Sequence, residues 1–428
     1  MTGPQIVALS VLAAVVAALV WGKLRADIVA LSGAAVLLAT RTVRPVEVQA
    51  AFASPAIVAL ASLFVIAYAM ELSGLLGLVI RGATKVCARF GAAGVWGLIG
   101  LTGVASAFLN NTPLVILAAP VVRDVATSMK LPPKRFLIPV SYAAVLGGAC
   151  TLIGTSTNLL VNDMARNAGQ QAFGIFEITP VGVIVALTGA LYLMFVGGPM
   201  LGRAHPDEPS EADASVAVPE IAAPSVAERP YRPVQAFTAL AVFLGVVVVA
   251  ATGYAPIAAC AFTGAVLLVL LRVISAEDAY KGLRPEILLL IAGMVVVGLS
   301  LQLTGLAALA TAALGKWVVL LGPRLALALL YGATLLLTEI LSNAAVAVLV
   351  TPVAVALAES LGVSPRPFLV AVMMAASAAF ATPFGYQTNV LVYQLGRYRY
   401  LDFVKVGLPL NLLTWLVALL VIPVFFPF

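Results

Sequence analysis

"FLNNTPLVILAAP", residues 108–120, sets two adjacent asparagines inside a stretch that otherwise reads as membrane. In hydrocarbon a side-chain amide must find hydrogen-bond partners or cost several kcal/mol. Asn110 and Asn111 therefore need a reason to be there, and the surrounding sequence supplies one.

The 428 residues are 62% hydrophobic and 10% charged, far too apolar for a soluble protein of this length, and many segments approach the roughly 20-residue length that spans a bilayer. The chain reads as an all-α polytopic membrane protein. Its first segment, "PQIVALSVLAAVVAALVWGKLR", lacks a basic leader and runs directly into a second apolar stretch, so it is expected to be a retained span. The net charge of +6 is scattered over short loops, which argues against nucleic acid as a partner. Cys87, Cys150, Cys260 and the lone His205 offer neither a disulfide framework nor a His/Cys metal site, and no cofactor is expected.

One polar interruption divides the chain at 202–233, "GRAHPDEPSEADASVAVPEIAAPSVAERPYRP". It is too short and too polar to bury a core, and reads as a linker. The flanking halves match each other. At an offset of 232, Asn111 falls on Asn343, Pro120 on Pro352, Pro133 on Pro365 and Phe136 on Phe368; at 231, Gly74 falls on Gly305, Gly154 on Gly385, Thr157 on Thr388 and Asn158 on Asn389. The sequence is an internal duplication.

Spans are expected near 4–22, 26–41, 55–74, 91–129, 136–165 and 176–201, and again near 234–252, 255–273, 285–305, 317–360, 366–395 and 403–426. The long segments are split: 91–129 and 317–360 by the polar residues, 136–165 and 366–395 near "GTSTN" and "GYQTN". Hydropathy leaves 91–129 and 317–360 open as two full spans or as re-entrant hairpins, and charge chooses between them. If they are hairpins, each half crosses five times and the halves are inverted. Of the 24 Lys and Arg residues, only Arg41, Arg44, Arg166, Lys316, Arg324 and Arg366 then fall on one side, and the other eighteen on the opposite side. The positive-inside rule makes the richer side cytoplasmic, with the linker inside and both termini extracytoplasmic in the inner (plasma) membrane.

This organisation, two inverted repeats of five transmembrane helices plus one re-entrant hairpin each, with broken helices at the midplane, is that of a secondary transporter. The first repeat covers 1–201, with hairpin 91–129 and broken helix 136–165; the linker is 202–233; the second repeat covers 234–428, with hairpin 317–360 and broken helix 366–395. Irregular backbone at membrane depth is tolerated where it lines a cavity. Asn110, Asn111 and Thr112 can satisfy the freed backbone groups and still offer oxygens to an ion. They precede a helix start at Pro113, whose positive dipole end attracts an anion. Ser342 and Asn343 repeat the arrangement in "EILSNAAVAVLVTP", residues 339–352. One polar residue in a spanning helix is more often interhelical glue, but four breaks at equivalent points are hard to explain as packing.

These residues resemble the divalent anion/sodium symporter family, the dicarboxylate, citrate and sulfate carriers of the ion transporter superfamily. The tips are similar to its Ser-Asn-Thr signature, and "GGACTLIGTSTNLL" (147–160) and "ASAAFATPFGYQTNVLVY" (376–393) to its two broken-helix loops, over essentially the whole chain. The match is closest to sulfate-like bacterial permeases. The resemblance implies an elevator-type homodimer, with 1–74 and 234–306 as scaffold and the hairpins and broken helices as the moving part. It implies substrate contacts from Asn110, Asn111, Thr112, Thr155, Ser156, Thr157, Asn158, Ser342, Asn343, Thr388 and Asn389. Sodium is implied at Asn110, Asn111, Gly154 and Asn158, and at Ser342, Asn343, Gly385 and Asn389. Three departures stand out: Ala344 replaces a threonine, Asn110 replaces a serine, and "TSTN" and "YQTN" stand where dicarboxylate carriers often have Thr-Pro-Pro-Asn.

No Lys or Arg lies at either tip, so a dianion would be balanced by helix N-termini, hydroxyls, amides and co-bound cations. Glu339, an intramembrane carboxylate three residues before Ser342, is the candidate for coupling to a proton; the alternative is a carboxylate bonded to the tip's backbone. The expected function is uptake of a small inorganic or organic anion, sulfate or a di- or tricarboxylate, with sodium or protons across the lipid bilayer. A cation/proton antiporter or arsenite-type extruder is the second reading and an anion-sensing receptor the third. An enzyme is not expected, since the cytoplasmic segments hold no nucleophile-base pair, metal cluster or nucleotide loop.

Overall fold

Serine and proline punctuate the first helices. Ser54 caps a helix by accepting from the Ala56 amide at 3.2 Å, and Pro55 supplies the first-turn geometry that needs no amide donor. The computed structural model describes residues 2–21, 23–75, 77–78, 82, 90–202, 231–306, 309 and 322–428. Most of the linker, His205, Cys87 and several of the counted cations, including Lys85 and Lys316, lie outside the described residues.

In the first half the helices are α1 (Gly3–Trp21), α2 (Ala26–Ala39), α3 (Pro45–Phe52), α4 (Pro55–Leu72), α5 (Ala92–Ser106), α6 (Asn111–Ser128), α7 (Lys134–Gly148), α8 (Ser156–Asn167) and α9 (Thr179–Gly202), the last with a π-helical turn at Leu193–Gly197. The second half gives α10 (Pro233–Ala251), α11 (Ile257–Leu270), α12 (Ala276–Gly282), α13 (Pro285–Leu303), α14 (Gly322–Thr338), α15 (Asn343–Ser360), α16 (Arg366–Ser377), α17 (Gln387–Gly396) and α18 (Tyr400–Phe425). The two series run element for element. Six described stretches are long and apolar enough to cross a membrane, and further apolar helices are shorter, as the sequence leads one to expect of a multi-pass protein. Two short helices, α3 and α12, were not expected. They sit at equivalent positions and owe their starts to side chains: Glu47 accepts from the Arg44 amide at 2.7 Å, and Ser275 accepts from the Asp278 amide at 3.1 Å.

Packing between the halves is reciprocal. α2 lies on α13 and α11 on α4; α8 lies on α15 and α17 on α6. The α2–α13 crossing is close because its residues are small: a Cβ on Gly293 would meet the Ala30 backbone at 2.7 Å. Helices α1–α4 pack mainly with α10–α13, and α5–α9 with α14–α18. The two groups meet along α13–α15 and α4–α8, where the Ser54 hydroxyl donates to the buried Asp163 carboxylate at 2.5 Å.

The interior is built on α7 and α16, buried continuously over residues 136–148 and 367–377, as expected of helices apolar all round. The outside differs. On α18, Leu408, Leu412, Leu416, Leu420 and Val424 are all exposed at four-residue intervals, and on α10 Val234 and Phe237 are more than 70% exposed. Such stripes suit contact with acyl chains.

Candidate functional site

Both apolar hairpins turn where the sequence places its amides. α5 ends at Ser106 and α6 starts at Asn111, with Asn110 as N-cap accepting from the Thr112 amide at 3.3 Å. α14 ends at Thr338 and α15 starts at Asn343, with Ser342 as N-cap accepting from the Ala345 amide at 3.4 Å. In each tip a hydroxyl five residues upstream is joined to the asparagine. The Ser106 hydroxyl donates to Asn111 Oδ1 at 2.5 Å, and that of Thr338 to Asn343 Oδ1 at 2.9 Å. Ser106, Thr338, Asn111 and Asn343 are all buried.

The broken helices lie against these tips. α7 stops at Gly148 and α8 resumes at Ser156; α16 stops at Ser377 and α17 resumes at Gln387. Thr151 and Thr382 organise the two gaps alike, each hydroxyl accepting from the amide of Gly154 or Gly385 at 3.1 Å. The carboxamides of Asn158 and Asn389 reach back to the gaps, donating to the Thr151 carbonyl at 2.9 Å and the Ala379 carbonyl at 2.8 Å. Of the expected residues, Thr155, Thr157, Asn158, Thr388 and Asn389 are buried, Ser156 and Thr112 partly so, and Ser342 is exposed.

Glycine makes the close approach possible. A Cβ on Gly148 would stand 2.6 Å from Asn111 Oδ1, and one on Gly154 would meet the carbonyls of Gly148 and Ala107. Thr151 donates its hydroxyl to that same Ala107 carbonyl, so the first loop and the first tip are joined. On the other side, Glu339 joins the second tip to the second loop. Its carboxylate accepts from the Ala381 amide at 2.7 Å, the Thr382 hydroxyl at 2.8 Å and the Asn411 amide of α18 at 2.8 Å. The carboxylate thus bonds to the neighbouring break rather than to the backbone of its own tip.

The halves then cross. Asn111 Nδ2 donates to the Tyr386 phenol oxygen at 3.0 Å, and the Thr112 hydroxyl donates to Gln387 Oε1 at 3.4 Å. Ser141 of α7 donates to Asn389 Oδ1 at 2.7 Å and shares a hydrogen bond with Thr388 at the same distance. The Tyr142 hydroxyl donates to the Phe380 carbonyl, which the break in the second half frees. Ser106, Thr151, Thr338 and Thr382 are not in the expected set, although the duplication pairs Ser106 with Thr338 and Thr151 with Thr382 at the same offsets. The duplication also pairs Tyr386 with Thr155 at the offset of 231, though nothing in it marks the phenol as a partner of Asn111; Ser141 and Asn411 carry no such signal.

Four helix N-termini are drawn into this cluster, and their caps differ. Asn110 and Ser342 cap α6 and α15 with side-chain oxygens, whereas Thr155 and Tyr386 make no side-chain cap to α8 and α17. First-turn amides without a side-chain partner are donors for an anion. Three buried atoms nearby, Asn158 Oδ1, Asn343 Nδ2 and Ser377 Oγ, have no hydrogen-bond partner. Such atoms cost about 1–3 kcal/mol each when left without a partner, so each calls for a water, an ion or a ligand to meet it.

The fold and this cluster belong to a class of membrane transporter, and comparison with known proteins identifies the family. The family model CitMHS, citrate transporter, matches residues 16–363 and 345–427; the chain belongs to this family. It is a multi-pass membrane transporter and not an enzyme. It is 25% identical to the uncharacterized transporter YfbS of Escherichia coli (strain K12), across 100% of both chains. That alignment runs 610 residues, longer than this chain, so the relative carries stretches absent here. It is 24% identical to the sodium-dependent dicarboxylate transporter SdcS of Staphylococcus aureus (strain bovine RF122 / ET3-1) over 84% of this chain and 74% of that one. A shorter match, 49% identical over 98 residues, covers 21% of this chain and 11% of the probable sodium/sulfate cotransporter 3 of Chlamydomonas reinhardtii. Among solved structures, the YdaH transporter of Alcanivorax borkumensis superposes with a TM-score of 0.62 at 17% identity over 88% of this chain and 86% of that one, which establishes likeness of fold.

Proposed function

We propose that the protein is a secondary active transporter that takes up a divalent anion, sulfate or a di- or tricarboxylate, together with sodium. The observation that carries this reading is the double pairing of hydroxyl and carboxamide oxygen, Ser106 with Asn111 and Thr338 with Asn343, beside the uncapped N-termini of α8 and α17. Hydroxyl and amide oxygens with freed carbonyls suit a small hard cation, while backbone amides at a helix start suit an anion. Transporters with interrupted helices use these two sets of groups together. Relatives named for sodium with sulfate and sodium with dicarboxylate support the same cargo.

In this reading Asn110, Asn111, Gly154 and Asn158 serve the first cation, and Ser342, Asn343, Gly385 and Asn389 the second. Thr112, Thr155, Ser156, Thr157 and Thr388 face the anion with the tips. The helices of 1–74 and 234–306 are the scaffold of an inverted-repeat homodimer, and the hairpins and broken helices move past it as an elevator. The linker lies in the cytoplasm and the termini outside the inner membrane. The test is flux into proteoliposomes of sulfate, succinate and citrate, each with an inward sodium gradient and with choline instead. Sodium-stimulated entry of at least one of them is expected; entry indifferent to sodium, or extrusion against protons, contradicts the reading.

A further inference from the structure

Far from the tips, the ends of three apolar helices meet. α4 stops at Leu72, α11 stops at Leu270 and α10 starts at Pro233, and α10, α11 and the short α12 all pack on α4. The Arg232 amide donates to the Ser73 carbonyl at 3.0 Å, which ties the start of α10 to the end of α4. Among these ends lies a cavity of about 650 Å³, whose wall includes Leu72, Arg232, Gln235, Arg272, Ser275 and Asp278. Ligand pockets run to roughly 300–1,000 Å³, and the transport reading gives this one no role.

The charge of its wall is unbalanced. Asp278 is answered within its own helix: the Ser275 hydroxyl donates to its carboxylate at 2.9 Å, and Lys281 Nζ stands 3.8 Å from it. The Arg232 guanidinium donates to Gln235 Oε1 at 3.4 Å. Among the described residues, neither Arg232 nor Arg272 is paired with an acid. The first half differs. At the offset of 231, Arg41 falls on Arg272 and Arg44 on Ser275, and Arg44 is paired with Glu47 at 2.6 Å. Two guanidinium groups without acids at one cavity suit a phosphate, which each can hold through two parallel hydrogen bonds.

The residues next to these arginines indicate where the phosphate comes from. Val234 and Phe237 of α10 and Leu270 of α11 are each more than 70% exposed, and Leu271, beside Arg272, is exposed as well. A soluble phosphate compound leaves such side chains in water, whereas a lipid covers them with its acyl chains. Basic pockets between membrane helices hold the headgroups of anionic lipids. We propose that this cavity binds an anionic phospholipid, its phosphate met by Arg232 and Arg272 and its acyl chains by Val234, Phe237 and Leu270.

The probe is dioleoyl-phosphatidylglycerol, with dioleoyl-phosphatidylcholine as the zwitterionic control, titrated onto the purified full-length protein in detergent and followed by native mass spectrometry. Wild type is expected to prefer phosphatidylglycerol. The double variant Arg232→Gln/Arg272→Gln raises its Kd by about tenfold or more, the loss of two basic contacts to an anionic headgroup, and removes the preference. Arg232→Lys/Arg272→Lys keeps the preference, and Arg41→Gln binds as wild type. Added salt weakens phosphatidylglycerol binding more than phosphatidylcholine binding, and this comparison on wild type decides the matter if the glutamine variant does not fold. The inference is overturned by a wild type that binds both lipids alike or is indifferent to salt, by a folded double glutamine variant of unchanged affinity, or by an equal loss in Arg41→Gln. Displacement of the lipid by an equal concentration of glycerol 3-phosphate also overturns it, since the site would then belong to a soluble phosphate compound. None of these readouts measures flux, so the transport reading is tested separately.

Discussion

The carboxamide nitrogen of Asn111 donates to the phenol oxygen of Tyr386 at 3.0 Å, while its oxygen takes the Ser106 hydroxyl at 2.5 Å. Both ends of one side chain are thereby fixed, one by its own hairpin and one by the break in the other half. In the proposed function this side chain is oriented before an ion arrives, which is the condition for tight and selective binding.

The space for that carboxamide comes from Gly148, so Gly148→Ala is expected to displace it. The new Cβ would stand 2.6 Å from Asn111 Oδ1, and uptake should fall by about tenfold or more, since small misplacements of this kind are costly. Gly100→Ala is the control, because nothing lies within 4 Å of a Cβ there; its uptake should match wild type. Equal rates in both variants would remove Gly148 from the site.

On the proposed inverted-repeat topology the two tips approach the midplane from opposite faces. In a background with Cys87, Cys150 and Cys260 replaced, single cysteines at Thr112 and Ser342 should react with impermeant thiol reagents from opposite sides. A cysteine at Ser210 in the linker should react from the cytoplasm. Labelling of both tips from one face only would contradict the arrangement.

Glu339 receives three donors, from Ala381, Thr382 and Asn411. A glutamine offers one oxygen and turns an NH2 group toward donors, so Glu339→Gln is expected to lower thermal stability by about 1–3 kcal/mol. The pH profile of uptake should stay that of wild type if the carboxylate is a brace. A profile displaced in the variant, with the fold intact, would instead make Glu339 a proton carrier.

The second tip has Ala344 where the resemblance expects threonine, and Ala344 is only partly buried. Ala344→Thr should be tolerated and should steepen the dependence of uptake on sodium. A loss of uptake in a folded variant would show that the alanine itself is required.

Helix positions were legible because hydrophobicity is a long-range average, and the duplication gave each span a second reading. The expected hairpin 91–129 is α5 and α6, and 366–395 is α16 and α17. The short helices α3 and α12 escaped that average because each is carried by polar first-turn residues such as Glu47 and Asp278. Asn111 and Asn343 stood out, since an amide in hydrocarbon demands a partner. Ser106 and Thr338 did not, because a hydroxyl in a spanning helix ordinarily satisfies itself on its own backbone, as Thr334 does on Leu330 at 2.6 Å. Tyr386 was opaque for a different reason. The sequence places it in the second break, at the position Thr155 holds in the first, and only the fold reveals that its phenol reaches Asn111, 275 positions away in the chain.

In the proposed function the buried oxygens at the tips bind the cation that drives the anion. The direct measurement is the initial rate of anion uptake against external sodium concentration, for wild type and Asn111→Ala in matched proteoliposomes. Saturable activation by sodium in wild type, abolished in Asn111→Ala at equal amounts of folded protein, is the predicted result. A wild-type rate that does not change when choline replaces sodium, or a sodium dependence that Asn111→Ala leaves intact, would contradict it.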